Sequence, residues 1–531
     1  MSAELLHRVP TALARPLCLA AVAAACGASD SGVGVPPPNP PGGGPPLPAV
    51  ADTAVITVDN TTSFQSVDGF GGTTLTLVYG SRDYLGPLRP AAIKAAYSDI
   101  GITLGTLNIG IQETPANASD RFNQRGNDNG DPFVINPSGF NFTDSDILRD
   151  KIVVPAMAYG FRDFALGQFI DLRGPVSWLQ STRSVSYSQY LDESAEYVLA
   201  ILQHWRDSYG LTPRLLHLVN EPTSGNTELR TSSTQEVVDL VKRIGGRLRA
   251  AGFANVKFIV PNEETVGRTI AVAQAILADP AARPYVGVIG YHPYPYGAVY
   301  TSPRTILTAS GSGTPDRAAR QELEQLRALS RQYGVPVWLT EVTQGPGNND
   351  YGFDAVENVL ARAIHIHDNF EFAEASAYFG MVTIWDSQSH AEHFAGRNVP
   401  FLSAQSGMVL VDLVTGRILI TGMGYAVGHY ARWIKPGAQR IGATSNRPRV
   451  IVSAFRDASR RSIVLVAVNN EPKSQLLRVR LNGAQASGQA TGEASYGQVR
   501  WESLANIAVS ATGVIDLVAQ PSSVVTIAVP Y

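Results

Sequence analysis

Leu215-Leu-His-Leu-Val-Asn-Glu-Pro-Thr223 decides how the rest of the chain is read. An apolar run (Leu215, Leu216, Leu218, Val219) stops abruptly at Asn220-Glu221-Pro222. Proline cannot donate to a central ladder, so the strand must end there and leave Glu221 at its C-terminal tip. Val335-Pro-Val-Trp-Leu-Thr340 followed by Glu341 repeats the pattern. Two carboxylates, each at the end of its own apolar strand, are the equipment of double-displacement glycoside hydrolysis. Asn-Glu-Pro alone is equally compatible with a buried or capping glutamate, so the surrounding chain has to decide.

Apolar runs of similar length recur between helical patterns. They are Phe70–Leu77, Leu104–Ile109, Gln168–Leu172, Leu215–Val219, Val256–Val260, Val286–Tyr291, Val335–Thr340 and Ala377–Trp385. Eight such runs alternating with helices are the count for a (β/α)8 TIM barrel, an α/β fold. The intervening helices are well marked. Leu191, Ala195, Val198, Ile201, Leu202 and Trp205 form a stripe that stops at Gly210, and Ser233-Thr-Gln-Glu236 reads as a capping box. Thr314-Pro315 predicts another helix start, and the polar stretch from Glu113 to Ile152 reads as a loop decorating the second strand.

After about residue 436 the helical period disappears. Short strand candidates broken by turn residues run to the end, which predicts an appended all-β side domain, a β-sandwich formed by residues 436–531 and joined by the N-terminal strand within 50–63. The barrel is then residues 64–435.

The first residues read as an export signal over 1–25, with Arg8 and Arg15 ahead of a short apolar run. Ala23-Ala-Ala-Cys26 is similar to a bacterial lipobox, which would make Cys26 the lipidated first residue, but Ala23 stands where leucine is usual, so ordinary cleavage after Ala25 stays open. Residues 26–49 are rich in proline and glycine and read as a spacer. The expected location is therefore an exported bacterial protein, held at a cell surface or in the periplasm, or secreted. Both cysteines of the chain, Cys18 and Cys26, fall in this leader, so the body holds no disulfide. At 531 residues with 16% charged residues and a net charge of -3, the chain has no basic block to suggest nucleic acid.

In a barrel the chemistry gathers where strands end at the C-terminal face. Asn220, Glu221 and Glu341 end the fourth and seventh runs, His292 and Tyr294 follow the sixth, and Trp385 ends the eighth. Taken singly, Trp385 is as readily a core residue and His292 a structural histidine. Asp386, Glu263 and Glu264 read as supporting or solvated acids. No His-Glu-x-x-His is present, the pair in His365-Ile-His367 points two ways on a helix, and Gly-x-Ser-x-Gly is absent. The reading calls for no metal and no cofactor.

These residues resemble glycoside hydrolase family 30, in the clan A retaining β-glycosidases. Gln65-Ser-Val-Asp-Gly-Phe-Gly-Gly72 is similar to the family's opening segment, Asn220-Glu221-Pro222 and Thr340-Glu341 to its two catalytic strand ends, and Tyr425–Ala438 to the stretch leaving the barrel for the side domain. The closing Gln520–Ile527 is similar to its last strand. The resemblance implies Glu341 as nucleophile and Glu221 as acid/base, with a raised pKa on Glu221. It also implies Asn220 on the sugar 2-hydroxyl, His292 and Tyr294 orienting Glu341, and Trp385 as the floor of the subsite. The chain departs from the family at Val219, at Asn108 where an arginine is usual, and in a shortened loop around Trp178. Asn108 and Trp178 fall on the sugar-binding side. The implied substrate is a β-linked polysaccharide or oligosaccharide of the xylan, β-1,6-galactan or β-1,6-glucan type. The competing readings are a glycan-binding surface lipoprotein without catalysis and a retaining enzyme of another clan A family such as family 5, which lacks the Tyr425–Ala438 segment.

Overall fold

The computed structural model describes residues 52–74, 84–108, 128–140, 142–161, 163–167, 185–224, 229–294, 303–312, 317–343, 351–393, 401–403, 407–486 and 488–531. Cys26 and the leader, Trp178 and Thr314 lie outside them, as does the side chain of Asn108.

Eight parallel strands close into a barrel: β2 (Gly69–Thr73), β3 (Leu104–Asn108), β4 (Asp163–Gly167), β5 (Leu215–His217), β6 (Lys257–Glu263), β7 (Val286–Tyr291), β8 (Val337–Leu339) and β9 (Ala375–Gly380). The ring closes where Gly69–Gly72 of β2 pairs with Ala377–Gly380 of β9. Its interior is filled by Leu104, Ala165, Leu215, Ile259, Val288, Trp338, Ala377 and Phe379. β2 offers no side chain to this layer because it has no room for one. A Cβ on Gly71 would sit 2.6 Å from the Phe379 ring, so the glycines of the Gly-Phe-Gly-Gly segment let that ring cross the barrel axis. Phe70, between them, faces outward and stacks on Phe370 at 5.6 Å. At the foot of the barrel Asp68 accepts from Trp338 Nε1 at 2.8 Å and from Ser376 Oγ at 2.6 Å, tying β8 and β9 to the entry of β2.

Two strands differ from the sequence reading. The third barrel strand begins at Asp163, earlier than the sequence reading placed it, and runs Asp163–Gly167 with Phe164 and Ala165 buried, while Gln168–Leu172 lies outside the described residues. The eighth ends at Gly380, and Ile384–Asp386 is a separate strand, β10. It pairs with β11 (Val409–Asp412), which pairs with β12 (Arg417–Ile420), making a small sheet outside the barrel. The segment read as an uninterrupted polar loop up to Ile152 turns helical at Thr143–Leu148 and continues so through Met157.

The helices start and stop as their caps dictate. Ser186 caps Tyr187–Tyr209, which ends at left-handed Gly210. Ser233 caps Thr234–Ala250 through the Glu236 amide at 3.2 Å, but the Glu236 carboxylate bonds the amides of Arg230 and Thr231 instead of completing the box. Among the described residues no helix is long and apolar enough to cross a membrane.

β1 (Thr53–Ser66) does join the C-terminal strands. It runs antiparallel to β13 (Gln439–Ser445) and parallel to β16 (Gln475–Asn482), inside a nine-stranded sheet completed by β14 (Val450–Asp457), β15 (Ser462–Asn469), β17 (Gln489–Tyr496), β18 (Val499–Ala508), β19 (Val514–Ala519) and β20 (Ser523–Pro530). β14 shows the two faces of this sheet. Val450, Val452 and Ala454 join the side domain's own core with Ile56, Leu465 and Ile527, whereas Ile451 and Phe455 join the core of the barrel. The ring of Phe455 meets Phe370 at 5.9 Å and Tyr430 at 6.4 Å. His429, fully buried beside it, bridges Thr526 Oγ1 at 3.0 Å and Ser495 Oγ at 2.8 Å. Phe455→Ala is expected to destabilise the whole fold by about 3–5 kcal/mol, read as a lower urea midpoint. A variant as stable as the parent would mean that the side domain does not brace the barrel.

Candidate active site

Four of the barrel strands end in polar residues that converge. Glu221 follows β5, Glu263 ends β6, His292 follows β7, and Glu341 follows β8. One oxygen of Glu221, one of Glu341 and a ring nitrogen of His292 all lie within 4.8 Å of one another. His292 Nδ1 is 2.9 Å from Glu221 Oε1 and 3.9 Å from Glu341 Oε1. The hundred-odd residues between the glutamates are therefore folded away, and their carboxyl groups share one small volume at the barrel mouth.

Backbone geometry holds Glu221 there. Its φ is +45°, a left-handed conformation rare for a residue with a long side chain and costing of order 1–3 kcal/mol. Asn262 sustains it. The Asn262 carbonyl accepts from the Glu221 amide at 2.8 Å, its Oδ1 accepts from Thr340 Oγ1 at 2.7 Å, and its Nδ2 donates to the Ile259 carbonyl at 3.0 Å. One side chain thus links the strand end that carries Glu221 to the one that carries Glu341. Glu263 supports the next turn, where its carboxylate accepts from the Thr223 amide at 3.0 Å. Tyr294 accepts from the Thr343 amide at 2.8 Å and hydrogen-bonds Glu341.

The electrostatics follow from burial. Burial pushes the Glu341 carboxyl up to about 7; the neighbouring His292 opposes the rise, the charge of Glu221 adds to it, and the Tyr294 hydroxyl opposes it. Burial likewise raises Glu263 to about 7 against the pull of its bonds to Thr223 and the charge of Arg268. His292 behaves oppositely: burial pulls it down, but the charge of Glu341 and the bond and charge of Glu221 raise it overall. Its Nε2 is buried and finds no acceptor among the described residues, which favours the neutral ring with the proton on Nδ1, facing Glu221. His217, on the inward face of β5 below, is driven by burial down to about 3 and stays neutral. At a value of about 7 the Glu341 carboxyl is partly protonated at neutral pH.

Other residues singled out in the sequence sit elsewhere. Asn220 directly precedes Glu221 and is partly buried. Trp385 is 2% exposed on β10, packed with Val382 and Leu410, and its Nε1 donates to His390 Nδ1 at 3.1 Å. At 2% exposure its ring shows almost no surface to solvent, and its described contacts are with Val382, Leu410 and His390. Asp386 caps the helix Ser387–His393 through the Gln388 and Ser389 amides, and Glu264 pairs with Arg268 on the surface. His365 and His367 point apart, to Tyr378 and to Ser453. Asn262 was missed; its one signal is that asparagine tolerates a left-handed backbone, here φ +54°. A cavity of about 990 Å³ lined by Asp68, Leu104, Arg214 and Lys435 opens at the opposite, N-terminal ends of the strands, the end where barrels keep stability rather than chemistry.

An endoxylanase of glycoside hydrolase family 30 from Clostridium papyrosolvens superposes with a TM-score of 0.61, covering 90% of this chain and 100% of that one at 20% identity. The chain has the family 30 fold. In sequence it is 23% identical over 298 residues to the glucuronoxylanase XynC of Bacillus subtilis, covering 56% of this chain and 55% of that protein. It is also 23% identical over 441 residues to a putative glucosylceramidase of Caenorhabditis elegans, covering 78% of this chain and 77% of that protein. The match thus spans about half the length of the first relative and three quarters of the second. No family model matches the chain.

Asn262→Ala removes the Oδ1 acceptor of Thr340, whose hydroxyl keeps only its 3.2 Å bond to the Tyr291 carbonyl, removes the Nδ2 donor to Ile259 and strains φ, so it is expected to cost about 2–3 kcal/mol. Denaturant unfolding measures this; a change under about 0.5 kcal/mol would show that the link between the two strand ends is not structural.

Proposed function

We propose that the chain is a retaining glycoside hydrolase acting on a β-linked polysaccharide. The observation that carries this reading is the approach of Glu221 and Glu341 to within 4.8 Å at the barrel mouth. Carboxyl groups roughly 5–5.5 Å apart suit a covalent glycosyl intermediate, whereas inversion needs about 6.5–9.5 Å to admit a water. The fold shared with family 30 and the two strand-end motifs support the same assignment.

In this mechanism Glu341 attacks the anomeric carbon as Glu221 gives the shared proton to the departing glycosidic oxygen. The free enzyme carries that proton on the pair, and a glycosidic oxygen seated beside Glu221 draws it there as the negative charge settles on Glu341. Tyr294 and the positive edge of His292 stabilise the ionised nucleophile. Once the glycosyl ester forms, the charge of Glu341 is gone, the Glu221 carboxylate is the better base, and it activates water for the second displacement. Asn220 is assigned to the sugar 2-hydroxyl, the role its place before Glu221 implies by the resemblance to family 30. Xylan, β-1,6-galactan and β-1,6-glucan are the proposed substrate types, and a panel of these polysaccharides assayed for reducing-sugar release separates them.

Glu221→Gln is expected to lower hydrolysis by about 10²–10⁴-fold and Glu341→Ala by more, with both variants folded by circular dichroism. The product anomer released first, followed by NMR, should keep the β configuration; an α product would exclude the mechanism. A wild-type chain that binds but never cleaves these glycans would favour the lectin-like reading instead.

The pH profile has a defined sign. Glu341 is raised, so the singly protonated pair persists below about 7 and is lost above it. Accordingly kcat/KM should fall as pH rises through about 7. A flat profile from pH 6 to 9 would contradict the shared proton.

Export and anchoring at Cys26 remain part of the proposal. Cys26→Ser should move the protein from the membrane to the soluble fraction of the producing cells, while an unchanged distribution would remove the lipid anchor from the reading.

A further inference from the structure

A second cluster of acids lies away from the barrel mouth. Glu193 and Glu196 stand one turn apart on the helix Tyr187–Tyr209, each only 1% exposed, and Asp128 leans over them from the segment that begins the described residues after β3. One carboxylate oxygen from each of the three lies within 4.8 Å of the others. Buried carboxylates that close repel one another and have left water, a combination that folding tolerates only with compensation.

The compensation within the protein is incomplete. Neither oxygen of Glu196 has a hydrogen-bond donor among the described residues, although the side chain is almost wholly buried and faces the other two acids. Asp128 divides its oxygens. Oδ2 accepts from the Asn136 amide at 2.7 Å and from Asn129 Nδ2 at 2.9 Å, while buried Oδ1 takes no donor among the described residues. Its own carbonyl accepts from Asn136 Nδ2 at 3.2 Å, so the loop is built to hold this aspartate in place. Arg247, on the helix Thr234–Ala250, donates to the Pro132 carbonyl at 3.2 Å, covers the Phe133 ring, and acts on Glu196 from one side. Among the described residues three carboxylates thus face one guanidinium that acts on Glu196.

We propose that Asp128, Glu193 and Glu196 bind a divalent cation of the calcium class, which fastens the 128–140 segment onto the helix pair beneath it. The donors are all oxygen, the choice of a hard cation rather than zinc or copper. Calcium bonds oxygen at about 2.3–2.6 Å, so ligands on opposite sides of it stand about 5 Å apart, which matches the spread of the three oxygens. The rival occupant is a proton: burial, Asp128 and Glu193 raise Glu196 to about 8, so the carboxyl would remain neutral at pH 7. The cation site is separate from Glu221 and Glu341, and its test does not depend on what the enzyme cleaves.

The full chain, freed of metal with a chelator, is titrated at pH 7.5 with calcium chloride, then magnesium and manganese chloride, by calorimetry and by thermal unfolding. The expected result is one calcium bound per chain, with Tm rising by about 2–3 °C when calcium is a hundredfold above Kd. Glu196→Gln and Glu193→Gln, which keep the volume and remove a charge, should each weaken calcium binding at least about tenfold and suppress the rise in Tm. A parent chain that binds none of the three ions and whose Tm does not respond overturns the proposal in favour of the proton. Calcium binding that persists undiminished in both variants also overturns it, since the ion then sits elsewhere. Either variant that fails to fold is replaced by Asp128→Asn, for which the same two readings apply.

Discussion

Mutual repulsion between two buried carboxyl groups is the constraint around which the barrel mouth is organised. Left to themselves, Glu221 and Glu341 would rotate apart or draw in water. They are kept together by covalent and hydrogen-bonded framing from three strands at once: a left-handed backbone at Glu221, the Asn262 bridge to Thr340, and the Tyr294 and His292 side chains above β7. The result is a Glu341 carboxyl raised to about 7, where an isolated glutamate would be fully ionised at neutral pH. In the proposed mechanism that proton is the reagent, and its passage between the two residues would let them serve as acid in one half of the reaction and base in the other.

The rest of the molecule can be ranked by how directly it maintains this arrangement. Barrel closure comes first, and it depends on Gly71 of β2 lacking a side chain so that the Phe379 ring fits inside the barrel. Next come the contacts that fasten the strand bottoms, among them the bonds of Asp68 to Trp338 and Ser376. The side sheet acts at a distance, by pressing Phe455 onto Phe370 and Tyr430 behind the β9–β2 seam. None of these residues touches a substrate, yet each limits how far the two strand ends can drift.

The fold was legible because its signals are local and redundant. Strands with polar residues at their tips announce a barrel wherever proline or a carboxylate interrupts an apolar run, as at Pro222 and Glu341. Capped helices announce themselves in the same way. Legibility failed where a short run has no composition of its own. Asp163–Gly167 looked no better than its neighbour, and Ile384–Asp386 looked like the tail of the strand before it. At the site, position after a strand identified Glu221, Glu341, His292 and Tyr294 correctly as neighbours. It could not assign Trp385, since a strand end says nothing about which way the following chain turns, nor could it find Asn262, whose part is a matter of backbone geometry and of partners remote in sequence.

β1 is threaded between β13 and β16, so a strand from one end of the chain is flanked by two from the other. During synthesis its edges stay bare until nearly four hundred further residues have emerged. The barrel has every part it needs well before the sheet does, and sheet completion is accordingly the late, long-range step in assembly. It also means that the last hundred residues are not a detachable module: taken alone they would be split down the middle, with a gap where the first strand belongs.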